Sequence, residues 1–479
     1  MSTRKRATRA GALSLAIASA FALAASSAAS TVTSAGIQGS GKSVQAHPMT
    51  WGSREVADLP TPLPTSQCKA QLGINCYSPL QYRSAYDLNP LYQAGITGRG
   101  KTIVIVDSYG SPTIQADLDV FDKQWGLPDT KVDVRQFGTI PAFDPTDSTM
   151  VGWADETTLD VEYAHAIAPG AKIVLAETAV AETEGVTGLP EMMNAEKSLI
   201  DAGVPDVISQ SFGATEDTFP GFDQHDYSSL TNLRYAFKDA AAHHVTVLGS
   251  SGDNGVTSQT LDGNGFFPYA ANSWPSSDPL VTSIGGTYPA IDDTGKRLAP
   301  DVTGNDNDLL YPGGVVGGGG QSHVFKRPDY QNSVKSVVGA QRGTPDVSFS
   351  ATLSGAAWVY YSFTNPGWHL IAGTSESCPI MSGVVALAAQ AAGHRLGNIN
   401  PALYELGQVS KNPAFGKYTG IQDVTVGNIS DNGVTGPNAG PGYDMATGWG
   451  TIDGARFVPA LAIAASAPSN QGNREDQGH

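Results

Sequence analysis

Five short, unbroken apolar runs constrain this chain more than any other feature: KTIVIVDSYG, AKIVLAET, VPDVISQSFG, HVTVLGSSGDNG and PLVTSIGGT, each closed by small or polar residues. Continuous apolarity, rather than alternation, marks strands buried on both faces, and such strands belong to parallel sheets covered by helices. The segments IQADLDVFDKQWGL, ETTLDVEYAHAIA and LTNLRYAFKDAAAHH carry the helical spacing that would cover them. The expected fold is therefore α/β, a doubly wound, mostly parallel sheet with helices on both faces. It forms a single large domain, with the site beyond the carboxyl ends of the strands.

The flanks read differently. A basic start followed by GALSLAIASAFALAAS predicts a signal peptide over residues 1–29, with cleavage between Ala25 and Gly36; the alternative is an uncut anchor. No later run is apolar enough to cross a bilayer, so the mature chain is expected to be secreted, extracellular and free of membrane. Residues 30–76 read as a low-complexity leader or short propeptide, 77–465 as the folded domain and 466–479 as a disordered tail. Cys68 and Cys76 lie close together in a Pro-rich stretch, where an oxidising compartment would allow a small disulfide. Cys378 stands in an apolar helical pattern and reads as a buried, inert thiol. With 45 acidic against 28 basic residues and a formal charge of −17, nucleic acid and anionic membranes are poor partners. That balance suits a protein working at low pH, although acidic surfaces are common outside cells.

In GTSESCPIMSGVVALAAQAAG, Ser375 sits on a turn that enters a long helix, with Pro379 expected in the first turn. There the unpaired N–H groups and the positive dipole end favour developing negative charge; a plain N-cap serine is the competing reading. Glu156 and Asp160 are four apart on one face of a helix that stops at Pro169-Gly170. Like charges at that spacing repel, which suggests a shared proton or partner, against the alternative of a solvated acidic face.

In combination these residues resemble the sedolisin family of serine-carboxyl peptidases. The resemblance spans about four-fifths of the chain, from SPLQYRSAYDLNPLYQAGITGRGKTIVIVDSYGSP to GPGYDMATGWGTID. The family's Glu-x-x-x-Asp helix matches Glu156 and Asp160, and its Gly-Thr-Ser matches Gly373, Thr374 and Ser375. Its substrate strand matches Ser209, Ser211, Phe212 and Gly213, and its Ser-Gly-Asp loop matches Ser251, Gly252 and Asp253. The resemblance implies a subtilisin-like fold and a monomeric endopeptidase cleaving proteins or peptides at acid pH. In it Ser375 would be the nucleophile, Glu156 the general base, Asp160 its orienting partner and a protonated Asp253 the oxyanion donor. It further implies one structural Ca2+ held by the carboxylates of Asp423 and Asp444 and the carbonyls of Val424, Gly440 and Gly442; taken alone, these segments read as ordinary turns.

Two departures accompany the match. Asp107 follows its strand as the Asp of a subtilisin triad does, yet no HGTH segment supplies a His; Asp107 either extends the carboxylate network or is structural. His165, His243, His244, His323 and His369 fall in none of the matched motifs and read as structural or surface groups. Most family members carry a long propeptide, whereas some fifty residues separate the expected signal from the mature-like start here, so propeptide chaperoning and autoprocessing are not carried over. Two rival classes remain: a non-catalytic binding protein on a peptidase fold, and a glycosidase using paired carboxylates.

Overall fold

The apolar runs form the strands expected of them. In the computed structural model, which describes residues 54–56 and 61–466, the central sheet contains β1 (Thr102–Ser108), β2 (Asp133–Phe137), β3 (Lys172–Thr178) and β4 (Val207–Gln210). It continues with β5 (Thr246–Ser250), β6 (Thr282–Tyr288), β7 (Val302–Thr303) and β8 (Val347–Ser350). The order is β7-β6-β5-β4-β1-β3-β2, with β8 beside β6, and every pairing is parallel except that of β6 with β7.

Successive residues of one strand feed opposite cores, because side chains alternate across a sheet. Ile103, Ile105, Ile173 and Leu175 join the cluster beneath α1 (Ile114–Trp125), α2 (Ser148–Ile167) and α5 (Thr374–Ala392). Val104, Val106, Val174 and Ala176 join the cluster beneath α3 (Leu189–Asp201) and α4 (Tyr235–Ala242). Each fully buried aliphatic side chain contributes roughly 1.5–3 kcal/mol, so helices on both faces are what the continuous apolar runs require. Strands β2, β7 and β8 and helix α3 escape sequence reading: β2 is largely exposed, β7 has two residues, and β8 is the four-residue segment Val-Ser-Phe-Ser. The chain builds β1 to β3 on one side of β1 and then crosses to β4 on the other. This opens a crevice at the carboxyl end of β1, where Asp107 stands.

The structure moves the start of the domain. Residues 61–76, expected to be leader, include a helix over Thr65–Leu72 and a strand over Asn75–Tyr77 that pairs in parallel with Gly355–Ala357. Composition concealed the reason: Cys68 and Cys76 are bonded to each other and fully buried, and Ile74 is buried beside them. The backbone of Arg54–Val56 adds an antiparallel strand against the Gly367–Ile371 strand. The last helix, Gly454–Ser466, runs one residue into the expected tail. The expected signal peptide, the rest of the expected leader and residues 467–479 lie outside the described residues. No helix among the described residues is long and apolar enough to cross a membrane.

Candidate active site

Two glycines set the position of the candidate nucleophile. Gly373 adopts φ 145°, ψ 166°, a backbone region that side-chain-bearing residues avoid, and this sharp entry puts Ser375 in the first turn of α5. Gly383, on the same helix, meets α2 so closely that a Cβ would lie 2.6 Å from the Cβ of Ile167; its absence lets the two helices approach. Pro379 lies in the second turn of α5, not the first. It removes the N–H that the Ser375 carbonyl would accept in a regular helix.

Helix α2 is capped by Asp147, which accepts the N–H groups of Thr149 at 2.9 Å and Met150 at 3.3 Å. From Glu156 to Ile167 every residue of α2 is buried, so Glu156 and Asp160 are core carboxyls rather than a solvated face. Asp160 Oδ1 accepts the Ser211 hydroxyl at 2.8 Å, and its Oδ2 has no partner. Neither oxygen of Glu156 nor the Ser375 hydroxyl is in hydrogen-bonding geometry, yet the hydroxyl is near enough to draw the Glu156 pKa down. Catalytic contacts are often loose without substrate. Burial raises both carboxyls far above their usual range; the charges of Asp160, Asp107 and Asp253 add to the rise at Glu156, and that of Asp107 at Asp160. Like groups in one dry site hold protons between them.

Asp107 belongs to this cluster. It is fully buried, burial pushes it up to about 7, the Thr157 hydroxyl holds it back and Glu177 pushes it further. Asp253 faces α5 from the loop after β5. Its Oδ1 accepts both the N–H of Thr374 at 2.7 Å and the Thr374 hydroxyl at 2.9 Å, while its Oδ2 is buried without a partner. Burial raises Asp253 to about 7 against the pull of Thr374.

The matched substrate segment is committed differently from expectation. The Ser209 hydroxyl lies 3.4 Å from Cys378 Sγ, Ser211 serves Asp160, and Phe212 is fully buried in the cluster under α3 and α4. The side chains of Ser209, Ser211 and Phe212 are thus turned into the protein. Cys378 is buried and its thiol pushed up to about 12, as fits an inert group. His165 is buried against Asp122 at 3.2 Å, and His369 stacks on Tyr361. Beyond the ends of β1 to β3 opens a cleft of about 580 Å³, lined by Tyr109, Ile114, Phe143, Met150 and Glu177 among others. Sequence reading assigned no role to Thr374, although it stands inside the Gly-Thr-Ser motif, and it missed Ser211 as the donor to Asp160.

The C-terminal loop suits a hard cation by donor chemistry. Asp423 Oδ2 accepts the N–H of Gly442 at 2.7 Å; Asp444 Oδ2 accepts that of Gly440 at 2.8 Å, while its Oδ1 takes Ala446 and Thr447. Both carboxylates thus accept N–H groups of the Gly440–Gly442 turn, with the carbonyls of Val424, Gly440 and Gly442 in the same two segments. Among the described residues no three His, Cys, Asp or Glu side chains are grouped to hold a metal, so carbonyls would have to complete any set.

A serine at a helix N-terminus beside buried carboxyls, set at the carboxyl edge of a doubly wound parallel sheet, defines the subtilisin-like class of folds. The model of the subtilase family matches residues 139–450. The chain belongs to that family and, within it, to the sedolisins. It is 29% identical over 399 residues to kumamolisin of Bacillus sp. (strain MN-32), covering 81% of this chain and 64% of that protein. It is 29% identical over 385 residues to sedolisin of Pseudomonas sp. (strain 101), covering 80% of this chain and 60% of that one. The solved structure of Pseudomonas sedolisin, a serine-carboxyl proteinase complexed with pseudo-iodotyrostatin, superposes with a TM-score of 0.66 at 27% identity, over 80% of this chain and 97% of that one. This chain thus spans less than two-thirds of the length of the two curated relatives.

Proposed function

We propose that the protein is a secreted, monomeric serine-carboxyl endopeptidase that cleaves proteins or peptides at acid pH. The observation that supports this reading is the burial of Ser375 near Glu156, which stands one helical turn from Asp160, together with an Asp253 whose Oδ2 makes no hydrogen bond among the described residues.

In the proposed reaction Glu156 takes the proton of Ser375 as Oγ attacks the scissile carbonyl, and Asp160 keeps Glu156 oriented and shares its proton. Asp253 Oδ2 donates a proton in a hydrogen bond to the oxyanion, together with the N–H of Ser375. Glu156 then protonates the leaving amine. Water, losing a proton to Glu156, attacks the acyl carbon; the bond to Oγ breaks, and Glu156 returns that proton to Ser375. A carboxyl donates only while protonated, which ties the activity to low pH. The Gly440–Asp444 loop, with Asp423 and Val424, would hold one structural Ca2+ that ties the loop together.

Release of acid-soluble peptides from a denatured protein at low pH tests this reading, run beside Ser375→Ala. Release by the wild type alone supports it. No release, with sugar hydrolysis or with ligand binding instead, would favour the glycosidase or the binding protein.

A further inference from the structure

Two further glutamates lie in the loop between β3 and α3, away from the carboxyls assigned above. Glu184 is almost wholly buried. Its Oε2 accepts the N–H of Thr215 at 2.8 Å and lies 2.9 Å from the Thr218 hydroxyl, and its Oε1 lies 3.0 Å from the Thr215 hydroxyl. The N–H of Gly185 reaches the same Thr218 hydroxyl at 2.9 Å. Thr215 is two residues past Gly213, so this knot ties down the continuation of the substrate segment. The Thr215 hydroxyl also lies 2.8 Å from Ser258 Oγ and 2.9 Å from the carbonyl of Gln259, both in the loop that follows Asp253.

The Thr215 hydroxyl has two acceptors within reach, Oε1 of Glu184 and the carbonyl of Gln259. The Gln259 carbonyl can only accept, and Thr215 has one proton to give. If Thr215 serves Gln259, Oε1 of Glu184 faces a lone pair unless it carries a proton itself. The neutral acid then donates to Thr215 while Thr215 donates onward, and the one proton of Thr218 is shared between Oε2 and the carbonyl of Thr215 at 2.7 Å. Glu182, two residues earlier, is fully buried with neither oxygen partnered, and its own N–H is spent on Ser108 at 3.1 Å.

We infer that Glu184 is a positioning residue for the peptide substrate: as the neutral acid it fastens the segment after Gly213 to the loop after Asp253, and ionisation of Glu184 with Glu182 releases it. The inference rests on the peptidase reading above. Burial pushes Glu184 up to about 7 against Thr215 and Thr218, and raises Glu182 well above its usual value with Glu184 adding to the rise. The other titratable groups on the packed elements are committed elsewhere: Tyr109 accepts the N–H of Ala181, Glu216 holds Ser322 and the N–H of His323, and Asp217 pairs with the His323 ring. Two carboxylates in this dry loop repel, so the knot loosens as pH rises through neutrality.

The test is steady-state hydrolysis of an oligopeptide from about pH 4 to pH 8, with hydrogen exchange of residues 214–218 followed over the same range. Glu184→Ala is expected to raise KM about tenfold while kcat changes less than about threefold, the pattern of lost positioning. Glu184→Gln, which cannot ionise, should remove the alkaline rise in KM, and Glu182→Gln, which leaves a single carboxylate in the loop, should reduce it. Thr215→Val, which deletes one hydroxyl from the knot, stands in if Glu184→Ala does not fold. Unchanged KM and unchanged protection of 214–218 in these variants would overturn the inference, as would a fall in kcat at constant KM. The exchange readout needs no substrate, so a wild type without hydrolysis sinks the peptidase reading separately.

Discussion

The N–H and the hydroxyl of Thr374 both donate to a single oxygen of Asp253, at 2.7 and 2.9 Å, and so leave the other oxygen buried and unpaired beside Ser375. One oxygen is thereby assigned to holding the loop and the other is left for chemistry. Because burial raises Asp253 to about 7, its proton persists through the acid range and is lost as pH rises through that value. Asp253→Asn keeps a donor without ionising, so the alkaline limb of the pH–rate profile should move to higher pH. Asp253→Ala should lower kcat about 10²–10³-fold, the scale of one oxyanion donor. Wild-type kinetics in Asp253→Ala would refute the role.

Glu156→Ala, Asp160→Ala and Ser375→Ala should each remove nearly all activity, and a double variant should lose little more, because the groups act as one unit. Thermal melts establish that the fold survives. A Glu156→Ala protein with wild-type turnover would contradict the assignment.

Ser211→Ala strips Asp160 of its only hydrogen-bond donor among the described residues. That donor lowers the Asp160 pKa, so its loss should push the acid limb of the profile to higher pH. The expected fall in kcat is about tenfold, near the value of one charge-assisted hydrogen bond. An unshifted acid limb would mean that Asp160 does not titrate with the base.

Stability should fall from acid to neutral pH. Buried Asp107 and Asp253 are raised to about 7, and Glu196 and Glu376 to about 8, in each case by desolvation first. Unfolded, these groups lose their protons near pH 4. The folded form therefore binds more protons across about pH 4 to 8, and the stability they supply, complete below about 4, is lost as pH rises through the folded values. A fall in melting temperature on the order of 10 °C over that window is expected in scanning calorimetry. A flat profile would mean that the folded form binds no more protons than the unfolded one over that window.

At mildly acid pH, chelation should lower the melting temperature and open the Gly440–Asp444 loop to proteolysis, since an ion bound only by the folded form stabilises it by mass action. Asp444→Ala should abolish the response. Carboxylates must be ionised to bind, so the response should fade at the lowest pH. A chelator without effect on the wild type would show that the loop binds no ion.

The sheet and the identity of the candidate groups were legible because both are local. Unbroken apolar runs such as Thr102–Ser108 can be buried on both sides in few ways, and Glu156 with Asp160 share a face by helical periodicity alone. The entry of Arg54–Val56 and Asn75–Tyr77 into a sheet was hidden, because their partners lie some 280 to 316 residues along the chain and their composition resembles a leader. Tertiary structure alone decided which partner each polar group takes: Ser211 turned from substrate to Asp160, Thr374 tied to Asp253, and Glu184 to Thr215. Sequence states which groups can titrate, but pKa follows from burial and neighbours. Those exist only once α2 and α5 close over the sheet at Gly383.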